Sequence, residues 1–532
     1  MNKKQLVKHL TLPELIPLKL STSNPVEVPE YKFNIKLAQL TGTNGPRDLF
    51  SAYNVDFFER YTAAFAKTLE SEILIGYDGS RVHQSISVSA REYLRRSGIS
   101  IKELDGPVTV PEFMYACYKL KLPGCFYGRS HSPQQYIGLK LVINANNAFQ
   151  LLEKNGAEIT VPSKLEPEKI YGFLPRTLAP VIEEGMKDSP MVHPQKIGRH
   201  DEIAASDLRE EFFTSIKKVV PMKKIEGDYI VDCRHSMAGP VWELIKSEID
   251  ADIILHNDVL NPVAPDRDPR EIWSELTKKY SGQSRAVFNH DGDADRTFLL
   301  KIPGIGQETI VDNQEESFTT GLIAESKSRK SDAYILVQER ISLIMLSALS
   351  EITKKVYATA QGEPAFFLGV TELLTENPDI NRISGADYTN IFFNKSHPIC
   401  MKSPFQQALW LMHWFTSNDQ LPKYPSVDVV RTQIDMIKLN YPQRLQKVLK
   451  SSDEINKYFK EQYQVVYHST IDGQNLILKD KKENLMIVSI RPSGTGRYTK
   501  VFSEIGLGKS TSKERKTIAE DVNKTIAKII SK

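Results

Sequence analysis

Three aspartates at alternate positions, Asp291, Asp293 and Asp295, stand between two apolar runs at 285–288 and 297–302. The pattern reads as strand, acidic loop, strand. Alternate side chains of an extended segment point the same way, so the three carboxylates converge. At roughly 5 Å apart and an effective dielectric near 20, each pair repels by ~3 kcal/mol. A partly enclosed loop of this kind needs a cation, and all-oxygen ligation favours a hard ion such as Mg²⁺. An EF-hand is excluded, because its sixth and twelfth positions, here Arg296 and Ile302, must be Gly and Glu. The motif alone leaves a solvated acidic turn open as the alternative.

Three further stretches carry chemistry. Ser130 sits between Arg129 and His131 in a polar loop at a strand end. It is either a nucleophile, whose weak hydroxyl needs activation, or a turn serine bonding its own backbone. Lys140, in the apolar run that follows, would be a general base where burial lowers its pKa, and a solvated lysine otherwise. Residues 40–47 form a glycine-rich turn carrying two hydroxyls and Arg47. Near the C-terminus, Arg491, Ser493, Gly494 and Thr495 follow a strand-like run. An Arg fork, hydroxyls and glycine-exposed N–H groups suit the dianionic phosphate of a sugar phosphate.

The elements that must position these residues alternate strand and helix. Residues 73–76, 229–232 and 334–337 read as strands, each followed by a helical pattern, at 87–96, 241–245 and 343–349. Such alternation predicts α/β units with mostly parallel sheets. Ser403 and Pro404 read as cap and first residue of a further helix. The last segment differs, with strands at 464–469, 476–478, 486–490 and 499–504 and a helix over 512–530, an α+β module.

At 532 residues the chain exceeds one core, and about three to four domains are expected. A net charge of +3 and no basic run with interleaved aromatics argue against nucleic acid as a partner. The four cysteines show no CxxC spacing, which argues against a zinc site or disulfide framework and suits a reducing cytoplasm. No apolar stretch approaches a membrane span, and Pro13, Glu14 and Pro17 interrupt any signal-peptide core. A cytoplasmic protein without membrane partner is expected.

Taken in order, Gly-Thr-x-Gly-x-Arg, Ser-His-x-Pro…Gly-x-Lys, Asp-Gly-Asp-Ala-Asp-Arg and Arg-Pro-Ser-Gly-Thr resemble the α-D-phosphohexomutases, the family of phosphoglucomutases and phosphomannomutases. The resemblance runs from about Thr41 to Glu504. It implies three related α/β domains with mixed, mostly parallel sheets, plus a C-terminal α+β domain, around a central cleft. The corresponding boundaries are 1–38 (extension), 39–198, 199–304, 305–425 and 426–532.

The resemblance further implies a Mg-dependent hexose-phosphate mutase interconverting the 1- and 6-phosphates of glucose or mannose. Ser130 would carry the phosphoryl group beside His131. Asp291, Asp293, Asp295 and the phosphorylated Ser130 would hold Mg²⁺. Arg47 and Arg296 would stabilise the transferring phosphoryl, and Lys140 would be the acid/base. Arg491, Ser493, Gly494 and Thr495 would hold the other phosphate. A hexose 1,6-bisphosphate would be intermediate and activator. Its partner would be the small sugar phosphate, and a monomer or homodimer is expected.

Departures from the family pattern are local. Arg129 and Ser132 flank the Ser-His pair where the family has Ala and Asn, and Gly496-Arg497 replaces Glu-Pro. For the sugar-recognition loop, Gly385, Asp387 and Thr389 fit better than 362–365, with Ile391 where the family has His. A non-catalytic sugar-phosphate-binding relative, or a phosphatase, are the alternatives.

Overall fold

Short runs rich in Ile, Val, Tyr and Phe form the sheets. Ile73–Tyr77 and Ala286–His290 are buried at every position, as strands covered on both faces must be. The computed structural model describes residues 13–18, 41–42, 45–49, 52–128, 130, 136–154, 156, 161–187, 197–262, 285–304, 307–310, 314–328, 334–338, 340–386, 389–418, 421–436, 439, 441–470, 473–492 and 498–531.

Three sheets repeat one plan. In the first, Ile73–Tyr77 lies between Ile101–Leu104 and Gly124–Tyr127, all parallel, and Tyr136–Asn144 runs antiparallel beside the last. In the second, Asp228–Asp232 lies between Asp252–His256 and Ala286–His290, with Thr297–Gly304 antiparallel. In the third, Tyr334–Gln338 lies between Lys355–Thr359 and Arg382–Ala386, with Asn390–Asn394 antiparallel. Each unit therefore places its third strand in the interior and turns back through an antiparallel fourth. Ser130, the acidic triad and Thr389 all lie between the third and fourth strands, in units one, two and three. The fourth unit is an antiparallel sheet of Val427–Asp435, Tyr498–Gly506, Leu485–Pro492, Gln474–Lys479 and Gln464–Ser469, with the helix Ser512–Ser531 against it.

The first three units are tied together. Ile399–Cys400, from the third unit's chain, pairs with Tyr171–Phe173 of the first sheet. Glu14–Pro17, near the N-terminus, pairs in parallel with Lys355–Thr359 at the edge of the third sheet, and Leu18 is buried beside it. Residues 1–38 thus contain a strand of the third sheet. His200–Ile203 closes the edge of the first sheet. Two apolar clusters run through these units without a break. The fourth unit has a core of its own around Ile455, Phe459, Val488 and Ile526, while Ile477, Leu485 and Ile487 on its sheet join the first of those clusters.

The structure departs from the sequence reading in several elements. The helix expected over 87–96 begins at Arg81, because its polar first turn carries no apolar signal. Helix Pro404–Ser417 starts where expected, but Ser403 Oγ donates to Met401 O at 3.3 Å instead of capping. The fourth unit also holds Val427–Asp435 and two helices, Tyr441–Lys450 and Ser452–Gln462, which the sequence reading lacks.

Candidate active site

Asp291, Asp293 and Asp295 follow Ala286–His290 and are all at most 1% exposed. Their convergence does not come from extended backbone, as the alternation suggested. The chain turns there: Ala294 has φ +51 and donates its N–H to Asp291 O at 3.0 Å. Two donors fix the turn from outside. Val110 N, at the start of helix Val110–Leu120, donates to Asp293 O at 3.1 Å, and Arg296 N donates to Asp291 Oδ1 at 3.0 Å. Behind it, Trp242 Nε1 donates to His290 Nε2 at 2.7 Å, so His290 carries its proton on Nδ1, toward Arg296 O at 3.0 Å. Burial lowers the His290 pKa to about 4, which keeps the ring neutral and structural.

One carboxylate oxygen from each aspartate lies within 4.8 Å of the others. Asp293 Oδ1 and Asp295 Oδ1 are buried with no hydrogen-bond partner. Burial, then mutual repulsion, pushes Asp291 and Asp293 above the usual carboxylate range. Burial acts the same way on Asp295, but Lys140, Lys402 and Arg296 together outweigh it and hold that group low. Converging hard oxygens without donors fit a divalent cation such as Mg²⁺.

Ser130 reaches this turn from the first unit. It is 2% exposed, and its Oγ donates to Asp291 Oδ2 at 3.3 Å. Its φ of +56 is the left-handed region that a non-glycine residue rarely occupies. Such conformations cost of order 1–3 kcal/mol and gather at functional sites. Lys140, on the antiparallel strand Tyr136–Asn144, donates to Asp293 Oδ2 at 2.7 Å and Asp295 Oδ2 at 2.8 Å. The sequence reading made Lys140 a base on condition that burial lower its pKa. Burial does oppose its charge, but the Asp293, Asp295 and Glu363 carboxylates prevail and the pKa rises. Arg296 Nε lies 3.8 Å from Asp291 Oδ2 and 3.6 Å from Asp295 Oδ1. Arg47, described in its backbone only, pairs with Gly138, two residues before Lys140. His131 lies outside the described residues.

At the junction of the third and fourth units, a cavity of about 430 Å³ is lined by Arg340, Gln361, Ala386, Arg431, Lys500 and Phe502. Strand register explains the cluster. Arg491 pairs with Lys500 and Lys500 with Gln433, while Phe502 pairs with Arg431 two residues further, so these side chains share one sheet face. The Arg340 guanidinium stacks 3.9 Å from the Phe502 ring centroid, and Arg491 Nη1 donates to Gln361 Oε1. Ser493, Gly494 and Thr495 lie outside the described residues, as does Asp387. Gly385 is within Arg382–Ala386, where a Cβ would stand 2.0 Å from Leu336 O, and Thr389 is fully buried.

Sequence reasoning missed Arg340, Arg431, Lys500, Gln361 and Lys402, because each is an isolated polar residue outside any motif. Strand register in the fourth unit could have aligned Arg431 with Lys500 and Arg491.

The fold is one that solved phosphoglucomutase/phosphomannomutase structures share. Residues 38–163 match the family model described as phosphoglucomutase/phosphomannomutase, alpha/beta/alpha domain I. Among solved structures, a phosphoglucomutase/phosphomannomutase family protein from Burkholderia thailandensis superposes with a TM-score of 0.67 at 13% identity, over 92% of this chain and 98% of that one. A putative phosphomannomutase from Thermus thermophilus gives 0.61 at 16% identity, over 91% and 98%. The phosphoglucomutase pp63/parafusin from Paramecium, in its open form, gives 0.60 at 14%, over 97% and 98%. No curated protein sequence matches. Residues 38–163 thus match domain I of that family model, and nearly the whole chain has the fold of these solved structures. Among the described residues, no helix is long and apolar enough to cross a membrane.

Proposed function

We propose that this protein is a hexose-phosphate mutase working through phosphorylated Ser130 and a hexose 1,6-bisphosphate. The observation that carries the reading is the 3.3 Å approach of Ser130 Oγ to Asp291 in the buried acidic turn. The phosphoryl group leaves Ser130 Oγ for a sugar hydroxyl. The Oγ–P bond breaks, a new sugar O–P bond forms, and the hydroxyl proton passes to the enzyme. After the bisphosphate turns around, its other phosphate returns to Oγ.

Phosphoryl transfer needs positioning and charge stabilisation above all. Asp291, Asp293 and Asp295 would hold Mg²⁺, which when bound supplies positive charge to the transferring group. Arg296 and Arg47 add guanidinium charge there, and Lys140, held protonated by Asp293 and Asp295, is suited to act as the acid toward a sugar oxygen and not as the base. Arg491 and the loop 493–495 hold the phosphate that stays, with Arg340, Arg431 and Lys500 extending the cationic wall. Gly385, near the end of Arg382–Ala386, and Asp387 and Thr389, which follow it in the chain, would face the sugar.

The test is direct. Incubation with glucose 1-phosphate or mannose 1-phosphate, Mg²⁺ and a trace of the 1,6-bisphosphate should yield the 6-phosphate. Intact-mass and peptide mapping should find one phosphoryl group on the peptide containing Ser130. Binding of sugar phosphate without turnover would instead favour a non-catalytic relative, and release of free phosphate a phosphatase.

A further inference from the structure

Helix Val110–Leu120 sends one of its own backbone groups into a neighbouring unit. The first four N–H groups of an α-helix have no intrahelical partner. Those of this helix are accounted for one by one. Thr109 is the cap residue, and its N–H donates to Glu112 Oε2 at 2.7 Å. In return the Glu112 N–H donates to Thr109 Oγ1 at 3.3 Å, which completes a reciprocal capping box. Pro111 has no N–H to satisfy. Val110 N–H is left, and it donates to Asp293 O at 3.1 Å, in the acidic turn of the second unit.

A third element braces the box. Arg209 Nε donates to Glu112 Oε1 at 2.6 Å, and its Nη2 donates to Pro107 O at 3.4 Å. Arg209 belongs to helix Ala205–Lys217, which lies in the chain between the first sheet's edge strand His200–Ile203 and the second unit's Asp228–Asp232. That helix is itself anchored to the first unit, where Ala205 N–H donates to Asp105 Oδ1 at 2.9 Å. A capping box on a solvent-facing helix needs no such partner. Glu112 is 1% exposed, and a carboxylate taken out of water costs several kcal/mol unless it is paired. The placement is explained by what the box holds. Ser130 and Lys140 come from the first unit and the three aspartates from the second. Val110 N–H ties backbone to backbone across that boundary, at the same Asp293 whose side chain Lys140 grips.

We propose that Arg209, acting through Glu112 and the capped helix start, is a positioning residue that sets the acidic turn against Ser130 and Lys140. The inference rests on the mutase reading given above and extends it to a helix outside the site.

Steady-state kinetics with glucose 1-phosphate test it, together with the rate at which glucose 1,6-bisphosphate labels Ser130. Arg209→Met should lower kcat and the labelling rate on the order of 10- to 100-fold, the effect of a small misplacement of reacting groups, with KM held within about twofold. Arg209→Lys, which keeps the charge, should recover part of that loss. Glu112→Gln is the sharper probe. Its amide oxygen still accepts the Thr109 N–H, since Gln serves a capping box as Glu does, but the charge that Arg209 holds is gone. Lowered kcat in this variant supports the proposal, whereas wild-type kcat would overturn it and make the box a cap for its own helix. The double substitution Arg209→Met with Glu112→Gln buries no unpaired carboxylate, so it keeps the test alive if the single Arg209 variant fails to fold. It should show the same loss of kcat, and a double variant that merely melts earlier would again overturn the proposal. Absence of both turnover and Ser130 labelling in the wild-type protein would sink the mutase reading itself, and this proposal with it.

Discussion

Two polar centres occupy the interior, and they are built in opposite ways. The acidic turn with Ser130 and Lys140 is sealed among buried residues of the first two units. The cationic cavity of Arg340, Arg431 and Lys500 lies where the third unit meets a fourth unit with its own core. In the first centre the charged atoms are fixed by buried hydrogen bonds of 2.7–3.3 Å, suited to chemistry that tolerates little misplacement. In the second, the cations line one strand face of the fourth unit and the facing edge of the third, suited to gripping a group that must arrive and leave. On the function proposed above, the sealed centre would make bonds and the interdomain one would hold the substrate.

That division can be broken first at the sealed centre. Ser130→Ala should abolish phosphoryl labelling and lower turnover by on the order of 10³-fold or more, while Mn²⁺ binding persists. Asp293→Ala should lose both, as read by calorimetry and by glucose 1-phosphate turnover. A smaller effect is expected at the interdomain centre. Arg431→Ala or Arg340→Ala should raise KM for the sugar phosphate about tenfold, the worth of one charge-assisted hydrogen bond, and leave labelling of Ser130 unchanged. If either arginine variant instead lost the label, the two centres would not be separable in this way.

The smallest effect sharpens the junction itself. Glu504, on the same sheet face, accepts the Leu343 N–H at 2.9 Å. Burial and then the Glu315 carboxylate raise its pKa to about 8, against the Arg340 charge and the amides of Leu343 and Ile344. A carboxyl raised in the folded state is worth most when protonated in both states. Stability should therefore fall as pH rises from about 4.5 to about 8 and level off above. Glu504→Gln should flatten that slope in melting temperatures measured across the range, shifting them by a few degrees; an unchanged slope would assign the dependence elsewhere.

Much of this was legible before any coordinates, for physical reasons. The three α/β units show because buried strands are continuous apolar runs and their helices are amphipathic. The acidic triad shows because carboxylates at alternate positions between such runs have few structural uses. Val427–Asp435 escaped because it is only partly buried and alternates Val with Asp, Arg and Gln. Lys402 and Glu363 escaped because they are 39 residues apart and meet only through the fold. The raised pKa of Lys140 also escaped, since sequence gives burial but not which carboxylates share it.

The strand Glu14–Pro17 has a practical consequence. It covers the outer edge of the third sheet through its pairing with Lys355–Thr359, although the family match begins only at residue 38. A chain trimmed to start at that match would leave Lys355–Thr359 with open amide and carbonyl groups along one side, an invitation for copies to stack edge to edge. Such a shortened protein should be recovered as aggregate where the full chain stays dispersed, and a peptide spanning residues 10–20 added during refolding should restore solubility.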